Sequence, residues 1–382
     1  MMIQNTLVYV GTYTEPIRFG TGKVLHGKGE GIYRFRLDQE SGALEPAGIT
    51  TGVANPSYLA FDATQRFLYA VNELKSFQDR PTGTVSAFAV DAASGALTFL
   101  NRQPTHGTDP CHVVVDRQRR HVFVANFMSG SVCVLKLRAD GSLDAACDFV
   151  QHLGSGIDPA RQTGPHAHSV TLDKTGRYAL VPDLGLDKLL IYQFDATRGM
   201  LEPGVVPWIK LPPGAGPRHV ALHPGGRFAY LINELNATVA ALAWDRKARG
   251  FRALQLVSTL PEGFDGANSG ADIHVAASGR FVYASNRGHD SLAIYRIDPR
   301  SGRLTYVGHA ATQGRTPRSF CLDPTGRFAL VANQDSDSIV TFRIDARSGT
   351  LTPTGHVAPV PTPVCVTCRR AATPNGGDAW HR

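Results

Sequence analysis

A two-strand unit recurs along this chain, and it leaves few folds open. In its clearest copy an apolar stretch, Gly216-Pro217-Arg218-His219-Val220-Ala221-Leu222, meets the turn His223-Pro224-Gly225-Gly226-Arg227. A second apolar stretch follows and ends at Asn233-Glu234. Aligned on the turn arginine, the unit returns at Arg66, Arg120, Arg177, Arg227, Arg280 and Arg327, about 50 residues apart. A second marker runs out of phase with the first. It is a strand of period two, then a short turn of the type Ser-Gly-x-Leu, in seven copies near Gly42, Gly95, Gly141, Gly199, Gly250, Gly302 and Gly349. Each period therefore holds two hairpins, or four strands, and no sustained helical periodicity appears.

Four-stranded units repeated in series predict an all-β, seven-bladed β-propeller with four antiparallel strands per blade. Six complete turn-arginine hairpins stand against seven Gly-x-Leu markers. The termini supply the difference: Leu7–Thr12 reads as a second strand lacking its first, and Pro363–Val366 as a first strand lacking its second. Joined in one blade they close the ring and remove its open edge. The expected organisation is one propeller domain over residues 1–368 and an unstructured tail over 369–382.

Composition narrows the function. The net charge of +7 is spread one or two cations per repeat, mostly at turns. Nucleic-acid binding calls for a clustered basic stripe instead, and a mild positive bias suits a small anionic substrate. No apolar run reaches the ~18–20 residues of a membrane helix. The first residues lack the basic and apolar regions of a secretory signal. The six cysteines are scattered, most of them in apolar strands, as expected of buried thiols in a reducing, cytoplasmic setting. Cys365-Val366-Thr367-Cys368 has CxxC spacing but no second pair for zinc and no following helix.

Hairpin geometry collects the start of each first strand and the end of each second strand on one face, around the channel. The Asp-x-x-Gly-Arg turns fall on the other face, where glycine and aspartate serve the turn itself. Residues that break the repeat on the first face carry the functional information. Arg218, Arg318 and His168 stand where other blades have Ser, Cys or Ala, and Glu234 and Arg287 follow an Asn where other blades vary. Charges converging on a channel mouth are costly unless paired or used. His112, His166, Asp183, His219, Asn286 and Gln334 join them as candidate substrate-binding groups, with Arg318. His166-Ala167-His168 puts two imidazoles on one side of a strand. Asp183 would complete a metal site, but no motif fixes it there, so hydrogen bonding or acid–base work is expected and neither metal nor cofactor is assigned.

Four motifs carry a family resemblance: Tyr9-Val10-Gly11-Thr12-Tyr13-Thr14, Gly164-Pro165-His166-Ala167-His168, Gly216-Pro217-Arg218-His219 with Asn233-Glu234, and Ser285-Asn286-Arg287. Together they resemble the lactonase family, seven-bladed propellers that include bacterial 6-phosphogluconolactonases and fungal 3-carboxy-cis,cis-muconate lactonizing enzymes. The likeness runs to about Val366. It implies a catalytic set of His168, Arg218, Glu234 and Arg287, and no required metal. The segment Arg18–Glu30 is an insertion relative to many relatives, long enough to reach over the channel mouth.

The resulting expectation is hydrolysis of an anionic sugar lactone, foremost 6-phosphogluconolactone. Two arginines would bind phosphate or polarise the carbonyl, and Glu234 or His168 would activate water. Which of the two is the base stays open at this level, as does the oligomeric state, and Arg218 with Glu234 would equally make a structural salt bridge. The alternatives are a lactonizing isomerase acting on a carboxylated muconate and a propeller scaffold that binds without turnover.

Overall fold

The computed structural model describes residues 6–370. They form seven four-stranded antiparallel sheets arranged as the blades of a propeller. Apart from one 3-10 turn at Gln334–Ser336, the regular structure is all β. Among the described residues no helix is long and apolar enough to cross a membrane.

The ring closes as the termini predict. Pro363–Arg370 is the innermost strand of a sheet completed by Thr6–Thr12, Gly31–Leu37 and Leu44–Thr51. Its register runs from Thr6 opposite Arg370 to Gly11 opposite Cys365. Arg369 and Arg370, assigned to the tail by sequence, are therefore the end of the closing strand, and Arg369 also donates to the Asp91 carbonyl. The rest of the predicted tail lies outside the described residues.

Each apolar core sits between neighbouring blades. One cluster joins Tyr230, Ile232, Val239 and Ala241 of the fifth blade to Ile273, Val282, Ala293 and Tyr295 of the sixth. The second strands, such as Phe228–Asn233 and Phe328–Asn333, are buried along their whole length, which is why they read as nearly continuous apolar runs rather than as alternations.

The two sequence markers turn out to be partners across blades. The tyrosine hydroxyls of Tyr9, Tyr69, Tyr230 and Tyr283 donate to the carbonyls of Gly95, Gly141, Gly302 and Gly349, each in the next blade's Gly-x-Leu turn. The glycines at these turns have positive φ, and a Cβ on Gly302 would strike the Phe228 ring. On the other marker, Asp323 accepts from the backbone N–H of Arg327 and Phe328 at 2.8 and 2.7 Å, and the Arg327 guanidinium lies over the Phe328 ring. The repeated turn is thus occupied by its own chemistry. Replacing Tyr230 with Phe keeps the packing but strands the buried Gly302 carbonyl. The expected cost is about 1–3 kcal/mol, read as a lower urea midpoint with an unchanged slope.

Candidate active site

The first strands do not run straight into the channel mouth. In the third, fifth and seventh blades the register slips after the opening proline: Pro217 faces Asn233 while His219 faces Ile232, and the same step occurs at Pro110–His112 and Pro317–Ser319. The skipped residues are Cys111, Arg218 and Arg318. A bulge of this kind re-aims the extra side chain, and all three are turned to the same end of the channel, where they meet His168. In the fourth blade the inner strand shrinks to Thr171–Leu172, and His168 is held instead by its N–H to the Pro182 carbonyl and by an Ala167–Asp183 bridge.

Glu234 is the hub. Its carboxylate receives Arg161 Nη2 at 2.7 Å, Arg287 Nη2 at 2.8 Å and Arg218 Nε at 3.1 Å, and His168 Nε2 stands 3.9 Å away. Glu234 is only 4% exposed. Burial pushes its carboxyl up, but Arg287, Arg161 and Arg218 outweigh that and hold it well below the usual range. Glu234 is therefore a fixed anion and a weak base. His168 is the reverse case. Burial, then the Arg218 charge and the neighbouring His219, keep its imidazole well below the ordinary histidine range despite Glu234, so it is neutral at pH 7 with a lone pair to use. Its Nε2–carboxylate separation is too long for a hydrogen bond.

A cavity of about 250 Å3 opens above this pair. His168, Glu234, Arg287, Arg318 and Gln334 of the predicted set line it, along with Arg161, Glu73 and Cys111. Arg318 differs from the other arginines. Its guanidinium lies over the rings of Tyr13 and Phe19, and among the described residues it has no ion pair or hydrogen bond. The Arg18–Glu30 insertion does reach the mouth: Ile17–Arg18 and Val24–Leu25 pair as a small hairpin, and Arg18, Phe19 and Lys23 line the cavity. Gly20 at its tip lies against Phe127 and Met128 on the opposite rim.

The remaining predicted residues are near the site but do not line this cavity. Arg218 lies behind Glu234, donating also to the Ala271 carbonyl and to His219 Nε2, the latter at 3.2 Å. His219 gives its Nδ1–H to Asp272 at 2.9 Å, so the two partners assign a neutral tautomer; burial lowers its pKa to about 4. His112 packs deeper, its ring tilted against that of Tyr58. His166 stacks on Phe127 and bonds its carbonyl. Asp183 is fully buried, one oxygen accepting the N–H groups of His166, Gly185 and Leu186 and the other meeting His152. Asn286 is spent on Thr259 and Asn268. Equivalent asparagines, Asn72, Asn126 and Asn333, likewise donate to a carbonyl of the strand-to-strand crossing. The repeated asparagine is thus a latch of the fold.

Two further groups line the cavity, Arg161, which the sequence does not mark, and Glu73, which the repeat places on the site face. Arg161 comes from the irregular segment before His166-Ala167-His168, outside every repeat, and no spacing marks it. Glu73 follows Asn72 as Glu234 follows Asn233; it accepts from the Tyr13 hydroxyl at 3.0 Å, and burial raises its pKa. That positional equivalence was visible in the sequence.

A family model, Lactonase, 7-bladed beta-propeller, matches residues 7–368. The chain is 39% identical to a 6-phosphogluconolactonase of Bacillus subtilis (strain 168), over 83% of this chain and 85% of that one. It is 34% identical to a 6-phosphogluconolactonase of Formosa agariphila, over 78% and 83%. Among solved structures, the periplasmic gluconolactonase of Pseudomonas aeruginosa superposes with a TM-score of 0.88 at 34% identity, over 96% of this chain and 100% of that one.

Proposed function

This chain belongs to the lactonase family of seven-bladed β-propellers, and on that footing we propose that it hydrolyses the ester bond of 6-phosphogluconolactone. The observation that carries the reading is a neutral, buried His168 beside an ionised Glu234 that binds Arg161 and Arg287 at the cavity wall and Arg218 behind it.

In this reading His168 is the general base. It takes a proton from water as the oxygen attacks the lactone carbonyl. The oxyanion that forms is met by N–H groups of Arg287 and Arg161, since each guanidinium carries five donors and its bond to Glu234 uses one. Collapse breaks the bond between the carbonyl carbon and the ring oxygen, and the His168 imidazolium returns its proton to the departing alkoxide. Glu234 keeps the arginines aimed and steadies the imidazolium. Arg218 acts from behind Glu234 rather than on substrate. Arg318, which has ring contacts but no ion pair or hydrogen bond among the described residues, receives the phosphate as a charge-assisted donor.

Purified protein supplied with fresh 6-phosphogluconolactone should release acid well above the spontaneous rate. Glucono-1,5-lactone should be turned over less efficiently. Arg318→Ala should raise KM for the phosphorylated lactone at least ~10-fold, the scale of a lost charge-assisted bond, and hardly change kinetics on the unphosphorylated one. Inertness toward both lactones would refute the hydrolase reading, turnover of 3-carboxymuconate alone would replace it with the isomerase, and an equal loss on both lactones would remove the phosphate role from Arg318.

A further inference from the structure

The CxxC spacing near the end of the chain is absorbed by nothing in the lactonase site. Its two cysteines cannot pair with each other. They are three residues apart on the strand Pro363–Arg370, so their side chains leave opposite faces of the sheet. Cys365 packs with Leu7, Tyr9, Ile32 and Leu59, in the core toward the second blade. Cys368 packs against the core shared with the seventh blade, which includes Val8, Phe328 and Cys321.

Cys368 has a different partner. Its Sγ lies 3.3 Å from Sγ of Cys321, 47 residues earlier in the chain. Cys321 is on Pro317–Leu322, the inner strand of the seventh blade, and Cys368 is on the inner strand that closes the ring. A disulfide bond of ~2.05 Å requires an approach of only roughly 1.2 Å from this contact. A groove of about 590 Å3 on the turn face of the propeller is lined by both residues together with Thr367. Cys321 is buried and Cys368 partly exposed, so one sulfur is available to a small reagent and the other stands directly behind it. Accessibility makes Cys368 the attacking group and Cys321 the resolving one, in keeping with a Cys321 thiol raised by its contact with Cys368 and by burial.

We propose that Cys321 and Cys368 are a redox-modification site, at which a small-molecule disulfide of the glutathione class converts the pair to a disulfide that staples the closing blade to the seventh. The Cys368 thiolate attacks one sulfur of the reagent, forming a mixed disulfide and expelling one small thiol. The Cys321 sulfur then attacks Cys368, and the second small thiol leaves. Two electrons pass from the protein thiols to the reagent, and both protons end on the two released thiols. In a reducing medium the pair rests as thiols. Under a disulfide load it forms a covalent link where the ring is otherwise closed only by hydrogen bonds and packing. The pair opens on the turn face and lines none of the cavity, although Arg318 lies about 10 Å away along the same strand, so little change in turnover is expected on oxidation.

The test uses the full-length protein treated with oxidised glutathione and then with excess alkylating agent. A non-reducing digest should contain the Cys321 peptide joined to the Cys368 peptide, and the thermal midpoint should rise by roughly 5 °C, as expected from closing a long loop. Dithiothreitol should reverse both changes. The rise should be absent in Cys368→Ser and in Cys321→Ser, and retained in Cys365→Ser. A Cys365–Cys368 link, a stable glutathione adduct on Cys368 that does not resolve, or full alkylation of both cysteines after oxidation would each overturn the proposal. The digest of the unmutated protein decides it even if a serine variant folds poorly.

Discussion

Glu234→Ala is expected to damage both fold and activity. The substitution removes the carboxylate with which Arg161, Arg218 and Arg287 all form ion pairs, and Arg218 is only 3% exposed. Removing one partner from a buried ion pair costs about 3–5 kcal/mol, a large part of the ~5–15 kcal/mol that holds a domain folded. The variant should melt far below the parent or collect in the insoluble fraction. Glu234→Gln separates the two effects. It keeps volume and part of the hydrogen bonding but not the charge, so the arginines repel one another and lose their aim. It should fold, melt a few degrees lower, and lose at least ~100-fold in kcat/KM, the scale of a lost oxyanion donor. A Gln variant with parental turnover would reduce the hub to a structural clamp.

His168→Ala should lower kcat by ~100- to 10,000-fold with KM for the lactone nearly unchanged, the range for losing a general base. The pH profile discriminates better than the size of the loss. Because burial, Arg218 and His219 hold the His168 imidazole well below its ordinary range, its neutral form persists as pH falls through ~6.5. The base works in that form. The parent's kcat/KM should therefore stay level below neutrality and fall only once the pH drops beneath the lowered pKa. Glu234→Gln should move that acid limb lower still, since the carboxylate is the one neighbour that stabilises the imidazolium. An acid limb at or above 6.5 would take the base role away from His168.

Both predictions rest on residues that the chain itself singles out. Arg218, Arg318, His168, Glu234 and Arg287 are conspicuous because six or seven copies of one unit provide an internal reference, and departures from it stand out. Where the reference is silent, sequence fails. Arg161 lies in a segment with no counterpart in other blades, so nothing marks it as the third arginine on Glu234. Asp183 and Asn286 break or decorate the pattern at the right end of a strand, yet their polar atoms are used by the strand crossings beneath the mouth. Position along a strand gives the face of the propeller. It does not give the depth in the channel.

The same division holds for the fold. Period, turn residues and strand alternation are local, and in every blade but the closing one the four strands are consecutive in the chain, so these blades follow from the chain written out, while the two unmatched half-hairpins at its ends point to the ring closure. Three things needed the folded ring. The bulges after Pro110, Pro217 and Pro317 exist only when two strands are paired, and they turn Cys111, Arg218 and Arg318 to one channel end. Whether Glu234 is a base or an anchor depends on how many cations the neighbouring blades deliver to it. The partner of Cys368 is decided by which faces of the closing strand meet which blade. Each is a contact between segments from tens to hundreds of residues apart, where packing and electrostatics act through space and no sequence spacing encodes the distance.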